Sequence, residues 1–123
     1  MAGICLMAAG ATIHLGVSAL TLAWTHSVEK VRWEEDYRAT SAGLVVTEDR
    51  LQGTGAGMEP PADATFDGKW WRYRPKIGPQ PQVILRRSGT TVSDWDVCIG
   101  GTCKPMSDYV GAKTDPVVMT VCN

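Results

Sequence analysis

Apolar and polar residues alternate along this chain in short bursts with a period of two. Leu20, Leu22, Trp24, His26 and Val28 share one parity, and Val31, Trp33, Glu35, Tyr37 and Ala39 share one on the segment that follows. Such spacing places each set on one face of an extended strand, because successive side chains point to opposite sides. Runs of this kind, punctuated by Gly, Pro, Ser and Asp, recur at residues 4–7, 12–17, 20–28, 31–40, 44–51, 69–74, 83–87, 95–99, 102–104 and 117–122. No segment carries apolar residues at i, i+3, i+4 and i+7 between caps, so no helix is predicted. The pattern predicts an all-β fold: a small antiparallel β-sandwich or partly open barrel, forming a single domain over residues 1–123. The longest irregular piece is the Gly/Pro-rich loop 53–68, and a loop of that length in a small domain is commonly functional.

Two turns can be read directly. Residues 4–7 and 12–17 form strands joined at residues 8–11. Gly100-Gly101 makes a two-residue hairpin turn that sets Ile99 opposite Thr102 and Cys98 opposite Cys103. Facing cysteines in a non-hydrogen-bonded pair approach closely enough for a disulfide, so Cys98 and Cys103 are the disulfide candidate. The two other cysteines, Cys5 and Cys122, have no partner legible from spacing. No C-x-x-C is present, which leaves zinc and thioredoxin-type chemistry unsupported and no metal or cofactor expected.

Composition narrows the function. The chain of 123 residues is 44% hydrophobic and 20% charged with a net charge of −1. A packed core is expected, and no basic field exists to hold nucleic acid. No apolar run reaches the length of a membrane span, so direct membrane insertion is not expected. Ala9-Gly10-Ala11 mimics a signal-peptide cleavage site, but no Lys or Arg precedes the apolar run and the leader would be too short. Residues 1–17 read instead as the start of the folded domain.

The candidate site lies in the segment Trp24 to Tyr37. With Glu29-Lys30 as the turn, Val28 pairs with Val31, His26 with Trp33, Trp24 with Glu35, and Leu22 with Tyr37. His26 and Glu35 are then diagonal neighbours among indole rings. Two readings stay open: a His–Glu pair satisfying itself in the core, or a polar point in an aromatic pocket with a shifted pKa. The opposite face, with Thr21, Thr25, Ser27, Arg32, Glu34, Asp36 and Arg38, reads as solvated, with weak calcium binding at Glu34 and Asp36 the alternative to a plain charged surface. "GTGAGMEPP" is not a phosphate loop, because Pro60-Pro61 follow where a helix would have to start. Gly53, Gly55 and Gly57 read either as positions whose backbone angles other residues refuse, or as a loop whose exposed amides cradle a carboxylate or other anion, with Met58 and Glu59 then at the mouth of the aromatic face. Trp70, Trp71, Arg72, Tyr73 and Arg74 read as core plus a charged face. His14, at the end of an apolar strand, reads as a packed or half-exposed histidine rather than a ligand. No G-x-S-x-G, H-E-x-x-H or Ser/His/Asp arrangement appears.

The blocks "TLAWTHSVEKVRWEEDY", "GTGAGMEPP", "WWRYRP", "LRRSGTT" and "DWDVCIGGTCKP" together resemble the domain of unknown function 1850 family of bacterial proteins. The resemblance implies an accessory role in TRAP-type solute uptake at the cell envelope or periplasm. It implies partnership with a transporter permease or solute-binding protein, and no assigned catalytic residues. The expected function is therefore non-enzymatic binding of a transporter component or a small carboxylate-type solute. Trp24, His26, Trp33 and Glu35 form the expected site, with Gly55, Gly57, Met58 and Glu59 at its edge. The alternatives are a small hydrolase or isomerase using Glu35 or Glu59 as base, and a structural module that lends a sheet edge to another protein.

Overall fold

The computed structural model describes residues 2–25, 31–52, 60–87 and 94–123. Among these residues eleven strands follow in order: β1 (Gly3–Ala8), β2 (Ala11–His14), β3 (Ala19–Thr25), β4 (Arg32–Thr40), β5 (Gly43–Gln52), β6 (Thr65–Phe66), β7 (Trp70–Tyr73), β8 (Gln82–Leu85), β9 (Asp96–Ile99), β10 (Thr102–Pro105) and β11 (Val117–Cys122). A single 3-10 turn, Met106–Asp108, precedes the last strand, and no α-helix occurs among the described residues. The strands form a four-stranded sheet, β2-β1-β11-β8, and a seven-stranded sheet, β10-β9-β3-β4-β5-β7-β6. All pairings are antiparallel, and the two sheets pack face to face without closing into a barrel. The loop expected over 53–68 carries one short strand, β6, which pairs with β7.

Turn chemistry accounts for the tight hairpins. Ala9 and Gly10, at φ 51° and 80°, turn β1 into β2, and Gly100 and Gly101, at φ 59° and 84°, turn β9 into β10. Left-handed angles at both central residues match the right-handed twist of the flanking strands. The core lies between the sheets. Ile4, Leu6, Leu85, Val117 and Met119 from the smaller sheet meet Leu20, Leu22, Tyr37, Leu44, Val46 and Val97 from the larger one. Each fully buried aliphatic side chain of this set contributes about 1.5–3 kcal/mol. Gly43 stitches the two sheets together. Leu44 N donates to Gln80 O at 2.7 Å and Gln80 N to Leu44 O at 2.8 Å, and a Cβ on Gly43 would stand 2.6 Å from that Gln80 oxygen.

The expected register of the central hairpin is corrected by two residues. Trp24 pairs with Trp33, Leu22 with Glu35, and Leu20 with Tyr37. A shift of two preserves parity, so the inner face keeps the expected residues while each neighbour changes. The expected diagonal contact of His26 with Glu35 rested on the other register, and His26 itself lies outside the described residues.

A bulge in β5 decides which acid faces inward. Asp36 stands opposite Glu48 but Tyr37 stands opposite Val46, leaving Thr47 as the extra residue. Leu44 and Val46 are therefore inward on even numbers, and Asp49 and Leu51 inward on odd ones. One inserted residue reverses the facing of everything beyond it.

Candidate functional site

Two rows of side chains cross the inner face of the larger sheet. The first follows the pairings Trp24–Trp33, Trp33–Leu51, Leu51–Trp71 and Trp71–Phe66. Trp24 and Trp33 stack with ring centres 5.9 Å apart and planes 11° from parallel, and Trp95 leans on Trp24 at 4.9 Å. Phe66 packs on Trp71, also at 4.9 Å. These tryptophans are half-buried, and Trp24, Trp33 and Trp71 lie outside the main core cluster. Ring pairs of this geometry contribute about 0.5–1.5 kcal/mol beyond their buried area.

The second row lies one step toward the core: Val97, Leu22, Glu35, Asp49 and Tyr73 in sequence across β9, β3, β4, β5 and β7. Two carboxyls therefore stand opposite each other on neighbouring strands. Asp49 is 7% exposed and is the one buried charged residue among the described core positions. Burial in the first place, and then the Glu35 carboxyl beside it, push the Asp49 carboxyl up to about 8. One proton shared between two acids relieves a repulsion that both charges together would create. Tyr37 donates its hydroxyl proton to Glu35 Oε1. Burial and the neighbouring Glu35 hold the Tyr37 phenol well above its ordinary range, and burial with the Asp49 charge raises Tyr73 to about 12. Both tyrosines thus stay protonated as donors.

Two polar atoms on this face are left over. Trp33 Nε1 and Asp49 Oδ1 are buried without a well-formed hydrogen bond among the described residues, although the Glu35 carboxyl and Tyr73 hydroxyl adjoin Asp49. An unpaired buried donor or acceptor costs about 1–3 kcal/mol, so such atoms mark where a guest or a water would be bound.

Of the expected site residues, Trp24, Trp33 and Glu35 come together here. His26, Gly55, Gly57, Met58 and Glu59 lie outside the described residues. The described strand ends at Thr25, Arg32 and Gln52 all stand at the tryptophan end of the sheet. Asp49, Tyr37, Tyr73, Trp71 and Trp95 were not among the expected site residues. The signal for Asp49 was the change of apolar parity within residues 44–51.

The outer face, expected to be solvated, is an ion-pair ladder. Arg50, with its side chain only 12% exposed, reaches Asp36 at 2.7 Å, Glu48 at 2.8 Å and Glu34 at 3.1 Å. Arg32 extends the ladder to Glu34 and Asp96, and Arg72 extends it to Glu48 and Asp67. Burial pushes the Asp36 carboxyl up, but hydrogen bonds from Arg50 and Thr21 outweigh it and hold the group below its ordinary range. Among the described residues, Glu34 and Asp36 direct their oxygens at guanidinium groups, and Asp36 Oδ1 also accepts from the Thr21 hydroxyl. Arg87, expected merely at a strand end, is a clamp. It pairs with Asp94 at 3.0 Å and donates to the carbonyls of Gly111 and Thr114 at 2.7 and 2.9 Å.

Cys98 and Cys103 form the expected disulfide across the Gly100-Gly101 turn, with Cα atoms 3.9 Å apart. A second bridge, Cys5–Cys122, joins the two ends of the chain. Its partners are diagonal neighbours on β1 and β11, brought together only by the strand pairing.

Fold and face define a small two-sheet antiparallel sandwich whose larger sheet carries an aromatic row above a carboxyl pair. Residues 20–106, from β3 through β10, match the family described as a domain of unknown function, DUF1850, and the chain belongs to that family. No curated protein and no solved structure matches it.

Proposed function

We propose that this chain is a non-enzymatic binding module that serves TRAP-type solute uptake, and that its inner face receives the carboxyl group of a small organic acid. The observation that carries the reading is the pair of buried atoms without a well-formed hydrogen bond among the described residues, Trp33 Nε1 and Asp49 Oδ1, beside stacked indoles. They sit on neighbouring strands of one face, as diagonal neighbours. A carboxyl group in its acid form supplies an acceptor for the indole N–H and a donor for the aspartate oxygen, and the tryptophans wall its apolar body. The Glu35–Asp49 pair already holds a proton near neutrality, so such a guest adds to a network built to share protons.

The test is a tryptophan-fluorescence titration with a panel of aromatic and aliphatic carboxylic acids and their amides. Saturable binding is expected, tighter at pH 5.5 than at pH 7.5 for the acids and independent of pH for the amides. Trp33→Phe, which keeps a ring and removes the N–H, should weaken binding by about tenfold, the worth of one hydrogen bond to a buried group. A panel without saturable binding sinks the solute reading. Capture of purified transporter components by the unliganded protein would then assign the face to a protein partner.

A second reading rests on the same carboxyls. A carboxylate beside a buried acid that keeps its proton can act as a base, so Glu35 could serve a hydrolase or isomerase. Chemical conversion of a bound acid in the same titration is its signature.

A further inference from the structure

On the outer face of the smaller sheet, a histidine stands against a disulfide. His14 is the cross-strand partner of Cys5, and its Nδ1 lies 3.2 Å from Cys5 Sγ and 3.8 Å from Cys122 Sγ. The three ligand atoms all lie within 4.8 Å of one another. They come from three adjacent strands, β2, β1 and β11, which backbone hydrogen bonds hold side by side.

From this geometry we propose that reduction of Cys5–Cys122 opens a Cys2His site for a soft closed-shell cation, Zn2+ or Cu+. Metal–sulfur bonds of about 2.3 Å and metal–nitrogen bonds of about 2.0–2.1 Å place sulfur and nitrogen about 3.6 Å apart in a tetrahedron. The two sulfur–nitrogen distances, 3.2 and 3.8 Å, already bracket that value. The sulfurs themselves must part to about 3.8 Å. Side-chain rotation supplies this between α-carbons 5.9 Å apart. Thiolate and imidazole together select zinc or cuprous ion over the hard cations.

Access is the second, independent observation. A groove of about 710 Å3 runs along this end of the molecule, and His14, Cys122 and Asn123 stand in its wall beside Gly3 and Gly16. Cys5 is fully buried, Cys122 is half-exposed and His14 is exposed. A cation arriving through the groove would thus be seated over Cys5 with its fourth position open to solvent.

The chemistry is redox-gated because both states use the same sulfurs. A dithiol reductant gives two electrons and two protons to the Cys5–Cys122 bond and becomes a disulfide. The cation then displaces the two thiol protons to solvent. A disulfide oxidant takes two electrons from the two thiolates, is itself reduced to a dithiol with two protons from solvent, and so re-forms the bridge and expels the ion. His14 needs only to be neutral at Nδ1 to serve as ligand.

The experiment uses the full chain carrying Cys98→Ser and Cys103→Ser, so that a single thiol pair remains. The protein is reduced, freed of reductant without oxygen, and titrated with Co2+ as a spectroscopic stand-in for Zn2+. Circular dichroism checks the fold at each stage. One equivalent of Co2+ should bind, with the absorption of a thiolate-bound tetrahedral ion, and Zn2+ should displace it. His14→Ala should weaken the site by about tenfold or more, as loss of one ligand does. The oxidised protein should bind none. Absence of Co2+ binding by folded reduced protein overturns the proposal, as does equal affinity in His14→Ala. A reduced protein that unfolds and does not refold on adding Zn2+ overturns it as well.

Discussion

Replacing Asp49 with asparagine probes the carboxyl pair directly. Asp49 has an ordinary pKa of 3.8 when unfolded and about 8 in the fold, with burial the largest cause and Glu35 the next. Between these values the native state holds a proton that the unfolded chain has released. Stability is therefore full below the unfolded pKa and falls as pH rises toward the folded one, by up to about 1.4 kcal/mol per pH unit for one proton. From pH 5 to pH 7 the wild-type protein should lose about 2–3 kcal/mol through this group. The Asp49→Asn substitution removes the titration and offers Glu35 a permanent N–H in place of the shared proton. The variant's stability should be flat in pH from this cause, and it should gain on the wild type by the same amount across the window. Urea unfolding, followed by tryptophan fluorescence with both disulfides intact at pH 5, 6, 7 and 8, measures the difference. Comparing the two proteins cancels His14 and His26, which both carry. Asp36 and Asp94 have lowered pKa values, so their contributions are lost only below the window. Parallel wild-type and Asp49→Asn curves would refute the shared proton, and a variant that loses ground at pH 8 would refute it more strongly.

Two further outcomes follow from the frame. Arg50→Ala leaves Glu34, Asp36 and Glu48 facing one another without the guanidinium that joins them. The cost should be about 2–4 kcal/mol, partly recovered at high salt, and unfolding curves at low and high ionic strength will show it. Gly43→Ala forces a Cβ into the backbone at Gln80 and strains a φ of 133°. The loss should exceed about 2 kcal/mol, with Gln80 amide exchange accelerated first, because the stitch between the sheets opens before the core does.

Much of the frame is legible in the chain because it rests on local rules. Period-two alternation names the strands, and parity alone says that Trp24, Trp33, Glu35 and Tyr37 share the inner face. Glycine at two successive turn positions fixes the β9–β10 hairpin and, through it, the Cys98–Cys103 bridge. Family membership is legible for the same reason, since its motif blocks are contiguous.

The rest depended on which strands meet. The register of β3 against β4 differs by two residues from the one a Glu29-Lys30 turn would set, and neither of those residues favours the positive φ that a tight hairpin turn needs. Asp49 reached Glu35 only because the Thr47 bulge reverses the facing of β5 beyond it. Arg50 joined acids from β4 with one from its own strand, and Cys5 met Cys122 and His14 across three strands gathered from both ends of the chain. Alternation tells a strand which side to bury. Only the closing of one sheet over another tells it whom to bury that side against.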